Sequence, residues 1–457
     1  MTDGHPPAPQ AGASRAGILG WLLFDWACQP FFTLITTFVF APYFASALAP
    51  DPVAGQSLWG YATAAAGLVL ACLSPVLGSI ADSTGPKKPW IASCGLVLVV
   101  ASFALWYAAP GGSSAIPLAL VGFALATVAV EVAAVFNNAM IPRLVPPERY
   151  GRLSGAGWAV GYLGGLVSLV IVLGFLAADP ATGKTILGFD PLFGLDPQRR
   201  EGDRATGPFS ALWFLVFVLP LFLATPDIGR SAMGLREAVG RGLRQVRSTV
   251  ADARRHESVA RFLLANMVYQ DALVALFAFG GIYGAGVFGW QAIELGLFGI
   301  MLTITGTIGA LIGGRLDDRI GAKPVILGAI LILALVCVGV LSLGREHIFF
   351  VVPTAPPGDG LYGSAPEKVF VLLGLVIGSV AGPLQASSRS LLARLVPAEA
   401  AGRYFGLLAL SGKVTSFLAP LAVAVATAIF QTQAAGPAVL ILFLLTGFWL
   451  LSGVKRV

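Results

Sequence analysis

The chain has 457 residues, of which 56% are hydrophobic and only 11% charged, with a mean hydropathy of +0.83, whereas a soluble domain carries roughly 25% charged residues. This is the composition of an integral membrane protein. The net charge of +6 comes with no nucleic-acid-binding module; the four cysteines, Cys28, Cys72, Cys94 and Cys337, lie in apolar stretches and offer no disulfide framework; His5, His256 and His347 form no metal cluster, and no cofactor is expected.

A polar tail over 1–16, rich in Pro and Ala, opens the chain and reads as disordered. No cleavable signal peptide is evident, because the first apolar segment is too long for one and Asp25 interrupts it. Spanning-length apolar stretches then recur twelve times, at about 17–48, 57–81, 90–109, 116–141, 153–177, 209–224, 259–284, 291–314, 325–343, 369–392, 403–430 and 434–453. They divide into an N-terminal half (17–224) and a C-terminal half (259–453), joined by a linker (225–258) and followed by a short tail (454–457). The predicted fold class is an all-α membrane protein of twelve transmembrane helices in two six-helix, pseudo-symmetric halves.

The first span carries an acid, an amide and a proline. A carboxylate in hydrocarbon costs at least ~2.5 kcal/mol, so Asp25 must face a cavity or a partner. A helix puts Asp25, Gln29, Thr33 and Thr36 on one face, with Leu22, Trp26 and Phe40 on the lipid-compatible side. Pro30 frees the carbonyl of Trp26 and predicts a kink. The alternative is a polar stripe that only packs against neighbouring helices.

Lys and Arg set the orientation. They crowd the connections on one side, from Arg15 through Lys87, Arg143, Arg152, Arg319 and Lys323 to Lys455, and are sparse on the other, where Lys184, Arg199, Arg200, Arg204, Arg345 and Lys368 lie. Both termini are therefore expected in the cytoplasm. Compact loops and the absence of organelle signals suggest a bacterial inner membrane. In the linker, Leu235, Val239, Leu243, Val246 and Val250 recur at helical spacing beside Arg236, Arg241, Arg244 and Arg247. This describes either a basic amphipathic helix on the membrane surface, with lipids as partners, or a solvated linker helix. Gly183-Lys184-Thr185 is no phosphate loop, because Ala178 stands where a glycine is required.

Two loops occur twice. Residues 78–89 (GSIADSTGPKKP) match 314–324 (GRLDDRIGAKP), aligning Asp82 with Asp318 and Lys87 with Lys323. Residues 143–155 (RLVPPERYGRLSG) match 394–406 (RLVPAEAAGRYFG). The halves are therefore repeats in one orientation. The acids at these helix ends can accept from N–H groups opening a nearby helix, Gly78 and Gly314 permit close approach, and Gly85 and Gly321 suit an unusual φ.

Two six-span halves with G-x-x-x-D-x-x-G-x-K between spans 2 and 3 and again between 8 and 9 resemble the major facilitator superfamily over essentially the whole chain. The FDWA opening, the LVPPERYGRLSGAGWAVGYLGG and SRSLLARLVP runs and Ser411-Gly412-Lys413 resemble its "unknown major facilitator" subgroup, related to the fungal vacuolar amino-acid effluxers of autophagy. Cys28 and Gln29 depart from the small polar residues that members often carry after Asp-Trp-Ala. The resemblance implies that Asp82, Lys87, Asp318, Arg319 and Lys323 gate the cytoplasmic side, and that spans 1, 4, 7 and 10 line a central cavity. Ser83, where the pattern favours Arg, suggests a weaker first latch. The alternative is a positive-inside turn with no switching role.

Four charges from four spans share a depth just cytoplasmic of the midplane: Asp25 at ~12 Å, Glu131 and Lys413 at ~15 Å and Asp271 at ~18 Å, counting 1.5 Å per residue. Asp25 and Asp271 are near-equivalent by repeat. Asn137 and Asn138 on span 4 and Gln385 and Arg389 on span 10 add polar groups. Arg389 lies nearer the interface, where it could snorkel. Facilitator sites lie near the midplane at the junction of the halves. These residues therefore predict a secondary transporter, not an enzyme, working as a monomer by alternating access. A carboxylate would couple protons, and the substrate would be a small polar or zwitterionic solute such as an amino acid, moved outward. That substrate class comes from the resemblance. The alternatives are a structural salt bridge of Lys413 with Asp271 or Glu131, asparagines that only bond helices together, a transporter-like sensor without flux, and a membrane-embedded lipid-modifying enzyme.

Overall fold

The computed structural model describes residues 13–455 apart from 51, 228, 230–236, 238, 241–243, 245–255, 289, 291, 345–346, 355–360, 416–417 and 431–434. Ten helices among these are long and apolar enough to cross a membrane. They belong to α1 (Arg15–Leu48), α2 (Pro52–Thr84), α3 (Lys88–Ala104), α4 (Ala115–Asn138), α5 (Tyr150–Phe175), α6 (Thr206–Ala224), α7 (Glu257–Tyr283), α8 (Ala292–Ile320), α9 (Ala322–Leu341) and α10 (Ala365–Leu395). Further helical elements lie in the two remaining predicted spans: α11 (Ala401–Val414, with Leu418–Phe430 after it) and α12 (Ala435–Ser452). A two-stranded ribbon, β1 (His347–Ile348) and β2 (Val352–Pro353), follows α9. The proposed linker helix lies mostly outside the described residues.

Packing repeats with the sequence. In the first half α1 contacts α5 and α6, α4 contacts α2 and α3, and α3 contacts α6; in the second, α7 contacts α11 and α12, α10 contacts α8 and α9, and α9 contacts α12. The halves meet through α2 on α11 and α5 on α8, again a matched pair. Glycine makes those two crossings possible. A Cβ on Gly314 would fall 2.6 Å from the carbonyl oxygen of Gly151, and one on Gly78 would strike the carbonyl oxygen of Gly402.

Pro30 acts as the sequence predicts. The carbonyl of Trp26 receives no bond from residue 30 and accepts instead from the Trp213 indole of α6 at 3.1 Å, with the two rings stacked at 5.5 Å. Beyond Pro30 the ladder widens to i→i−5 bonding, as in Val39 N–H to Leu34 O at 3.0 Å. The extra residue in each such turn rotates everything that follows. Phe40, expected on the lipid side, is consequently fully buried in the half's core.

Candidate functional site

The centre of the molecule is organised by Arg389, on α10. Its guanidinium reaches across the junction into the other half: Nε donates to Ser154 Oγ (2.9 Å), one terminal nitrogen to the Ser154 carbonyl (2.8 Å), and the other to Asn138 Oδ1 (3.1 Å) and Asp25 Oδ2 (3.3 Å). The Ser154 hydroxyl donates in turn to the Ala386 carbonyl at 2.7 Å. The rings of Trp21 and Trp158 flank the cation at 5.7 and 5.4 Å. All these partners of Arg389 stand on α1, α4 and α5. Asn138 and Arg389 are also repeat mates, 251 residues apart, the offset that separates Arg143 from Arg394.

This corrects the depth expected for Arg389. It is 7% exposed and does not snorkel. α10 continues to Leu395, so Arg389 lies more than a turn inside its end, and Ser154, Asn138 and Asp25 replace the water it would otherwise seek. α5 permits this approach because it presents glycine. A Cβ on Gly157 would lie 2.5 Å from Asp25 Oδ2 and 3.0 Å from the Arg389 guanidinium.

Gln29, Gln385 and Asn137 fall around this tie. Gln29 packs over Gly161 and Gly165, one and two turns further along α5. Gln385 donates to the Tyr162 hydroxyl at 3.3 Å. Glu131 stands on α4, two turns before Asn138. Asn137 is buried; its carbonyl accepts from the Trp21 indole at 2.7 Å, and its amide has no hydrogen-bond partner among the described residues. Asp271 is also buried, with Oδ1 lacking a partner among them. Lys413 stands in α11, but its side chain lies outside the described residues. In the described structure Asp25 meets Arg389, and Asp271 stands buried on α7 of the other half. Beyond Tyr162, a cavity of about 340 Å³ lies between the halves, lined by Thr37, Phe38, Tyr162, Phe277, Phe298 and Gly378 among others.

The repeated loops close the face on the other side of this site. Asp82 accepts from the N–H groups of Gly402 (3.1 Å) and Arg403 (2.9 Å), which open α11, and takes an ion pair from Lys87 at 2.6 Å. Asp318 accepts from Arg152 N–H (3.2 Å) and Nε (2.8 Å), in the first turn of α5. The other two residues expected to gate take different positions. Lys323 donates to the carbonyls of Ser452 (2.7 Å) and Val454 (2.5 Å) at the end of α12, within its own half. Its structural mate is Lys88, which bonds the Phe222 carbonyl of α6 at 2.9 Å, because the first loop holds one residue more before its Lys-Pro. Arg319 is exposed and takes no part in these bonds.

A family model described as "Vacuole effluxer Atg22 like" matches residues 147–456, and one for the Major Facilitator Superfamily matches residues 5–169. The chain belongs to the Atg22-like effluxer family of the major facilitator superfamily. An uncharacterized MFS-type transporter, YxiO of Bacillus subtilis, is 26% identical over 95% of this chain and 94% of its own length. Autophagy-related protein 22 of Cryptococcus neoformans is 24% identical over 60% of this chain and 44% of its own length. Among solved structures, the facilitator transporter FucP in its outward conformation superposes with a TM-score of 0.69 at 15% identity, over 97% of this chain and 99% of that one. The human organic anion transporter MFSD10 gives the same score and identity, over 96% and 99%. The two-half facilitator fold and a multi-pass membrane transporter follow from these findings.

Several residues of this effluxer-family site escaped the sequence. Ser154, Trp21, Trp158 and Tyr162 carry no charge to flag them. Asp317 and Arg394 form a buried ion pair at 2.5 Å behind the second latch, with Ser390 Oγ also on Asp317 at 3.1 Å. The doubled acid Asp317-Asp318, against Ala81-Asp82 in the first loop, was the available signal. Asp227, in the linker, caps α3 through the N–H groups of Lys87 (3.0 Å) and Lys88 (2.8 Å).

Proposed function

We propose that the chain is a secondary active transporter of the cytoplasmic membrane, both termini inside. It exports a small polar or zwitterionic solute, such as an amino acid, by proton-coupled alternating access, as a monomer. The observation that carries this reading is Arg389, a buried cation of one half held by Asp25, Asn138 and Ser154 of the other. A substrate carboxylate competes with Asp25 for that guanidinium, and a proton on Asp25 loosens its hold. Polar groups on Gln29, Gln385 and Asn137 surround the position, with Glu131 and Asp271 as further acids and Lys413 on α11. Asp82 and Asp318, with Lys87, close the cytoplasmic face, so the cavity beyond Tyr162 faces outward in this state. Rocking of the halves breaks those latch bonds and opens the opposite side. The family description, vacuole effluxer, supports the direction and the solute class.

The test is flux of a labelled amino-acid panel in proteoliposomes, with and without a pH gradient. Asp25→Asn and Arg389→Lys are expected to lower flux about 10- to 100-fold, the equivalent of one charge-assisted hydrogen bond. Wild-type flux in both variants would remove the site. Flux indifferent to the gradient would remove proton coupling, and saturable binding without flux would make the protein a sensor.

A further inference from the structure

We propose that two apolar hairpins on the side opposite the latch, residues 185–193 after α5 and 347–353 after α9, insert into the hydrocarbon–headgroup boundary of the adjacent leaflet as interfacial anchors. Each hairpin turns back towards the span it follows. In the first, Ile186 N–H donates to the carbonyl of Leu173, inside the last turn of α5, and Phe189 stacks on Phe175 with centroids 6.0 Å apart. In the second, Phe350 N–H donates to the carbonyl of Ser342, the residue that ends α9, at 2.9 Å. Carbonyls at a helix C-terminus lack intrahelical donors, so each bond satisfies one of them. The same bond holds the hairpin at the level of the last helical turn rather than above it.

The side chains brought there are apolar and open. Ile186, Leu187, Phe189, Leu192 and Phe193 are exposed in the first hairpin, Phe193 at 90%. Phe349, Phe350, Val351 and Val352 are exposed in the second. Phe193, Phe349 and Phe350 hold positive φ (60°, 51° and 68°), a backbone region that bulky residues seldom occupy. An apolar surface of this size on a water-facing loop needs a cover.

Continuity with the lipid-facing surface identifies the cover. On α5, Leu163, Val170 and Gly174 fall on one face; the first two are exposed, and the third is covered by Leu187, whose Cδ1 lies 3.0 Å from the position a Cβ would take. On α9, Leu331, Leu335, Val338 and Ser342 fall on one face; the first three are exposed, and Ser342 is only 4% exposed where the ribbon folds back. Each hairpin thus takes the place of the last turn of a lipid-facing stripe and extends it outward with its own apolar side chains. Lys184 and Asp190, the two charges of this segment, are paired with each other at 2.7 Å, which lowers the cost of holding them at headgroup depth. This inference rests on the membrane fold and is independent of the transport reading.

The test uses full-length protein with Cys28, Cys72, Cys94 and Cys337 replaced by Ser. Spin labels are placed singly at Phe193→Cys, Phe350→Cys and, as a polar-side control, Ala181→Cys, in phosphatidylcholine–phosphatidylglycerol vesicles. Collision with oxygen is expected to exceed collision with a water-soluble nickel chelate at 193 and 350, and the ratio to invert at 181. Nickel-dominated collision at both tips would overturn the proposal, as would spin–spin broadening that reports a second copy on the patch. If labelling disturbs the hairpins, the unlabelled protein is irradiated in vesicles doped with a diazirine-bearing phospholipid. Adducts on 186–193 and 347–353 are expected, and their absence beside adducts on α5 and α9 would overturn it.

Discussion

In the last turn of α2, Asp82 sets both carboxylate oxygens against backbone N–H groups of α11, and Lys87 adds one opposite charge. In the last turn of α8, Asp318 meets Arg152 through one backbone and one guanidinium donor, and Asp317 behind it holds Arg394, whose other arm lies 3.7 Å from Asp318. One loop pattern therefore serves two chemistries. The first latch depends mainly on helix-end amides. The second depends on a four-charge cluster, with a buried aspartate where the first loop has the buried Ala81. Repeat symmetry preserves what geometry demands, the glycines at the crossings and the acid at the helix start. The charge behind the acid was free to diverge.

The largest test of that difference is Arg394→Ala against Lys87→Ala. Removing Arg394 strands Asp317, whose side chain is 0% exposed. A stranded buried charge costs about 3–5 kcal/mol. Removing Lys87 leaves Asp82 its two N–H donors, and the loss is about 1.5–3 kcal/mol. Thermal unfolding in one detergent should place the Arg394 variant clearly below the Lys87 variant, and equal shifts would erase the distinction between the latches. A smaller effect is expected from Gly78→Ala and Gly314→Ala, since overpacking costs about 1–3 kcal/mol. Both crossings belong to the closed face, so each variant should lengthen the distance between spin labels at exposed Glu148 and Glu399, read by pulsed resonance. Lengthening in only one variant would show that a single latch holds that face. The smallest effect belongs to Arg152→Ala. Its side chain is 62% exposed and Asp318 keeps the backbone N–H of residue 152, so about 1 kcal/mol or less is lost there; a collapse to the level of the Arg394 variant would mean that the second latch is held by Arg152 and not by the buried pair.

The repeat also shows how far a sequence reading of the site could reach. Asp25 was legible because an acid in an apolar run must face a cavity or a partner, and Pro30 because its missing N–H dictates which carbonyl is freed. Arg389 was legible as a residue and not as a position. Its depth was counted from an apolar run ending near 392, whereas the helix ends at Leu395 and three helices of the other half supply its ligands. Offset 251 already paired it with Asn138. Lys323 was misassigned by one residue, because a loop alignment weighs identities and ignores which carbonyl a lysine can reach.

What the sequence determined by itself is the membrane fold. Composition, apolar runs of spanning length and two loop repeats depend on burial in lipid and on local helix geometry, and both are written along the chain. What the tertiary structure decided is pairing. Arg389 chooses Asp25 across the junction, Asp317 chooses Arg394, Phe40 turns inward after widened helical turns, and two hairpins fold back on their spans. Each choice depends on which groups lie within about 3 Å once helices distant in sequence have packed, and no periodicity along one segment carries that information.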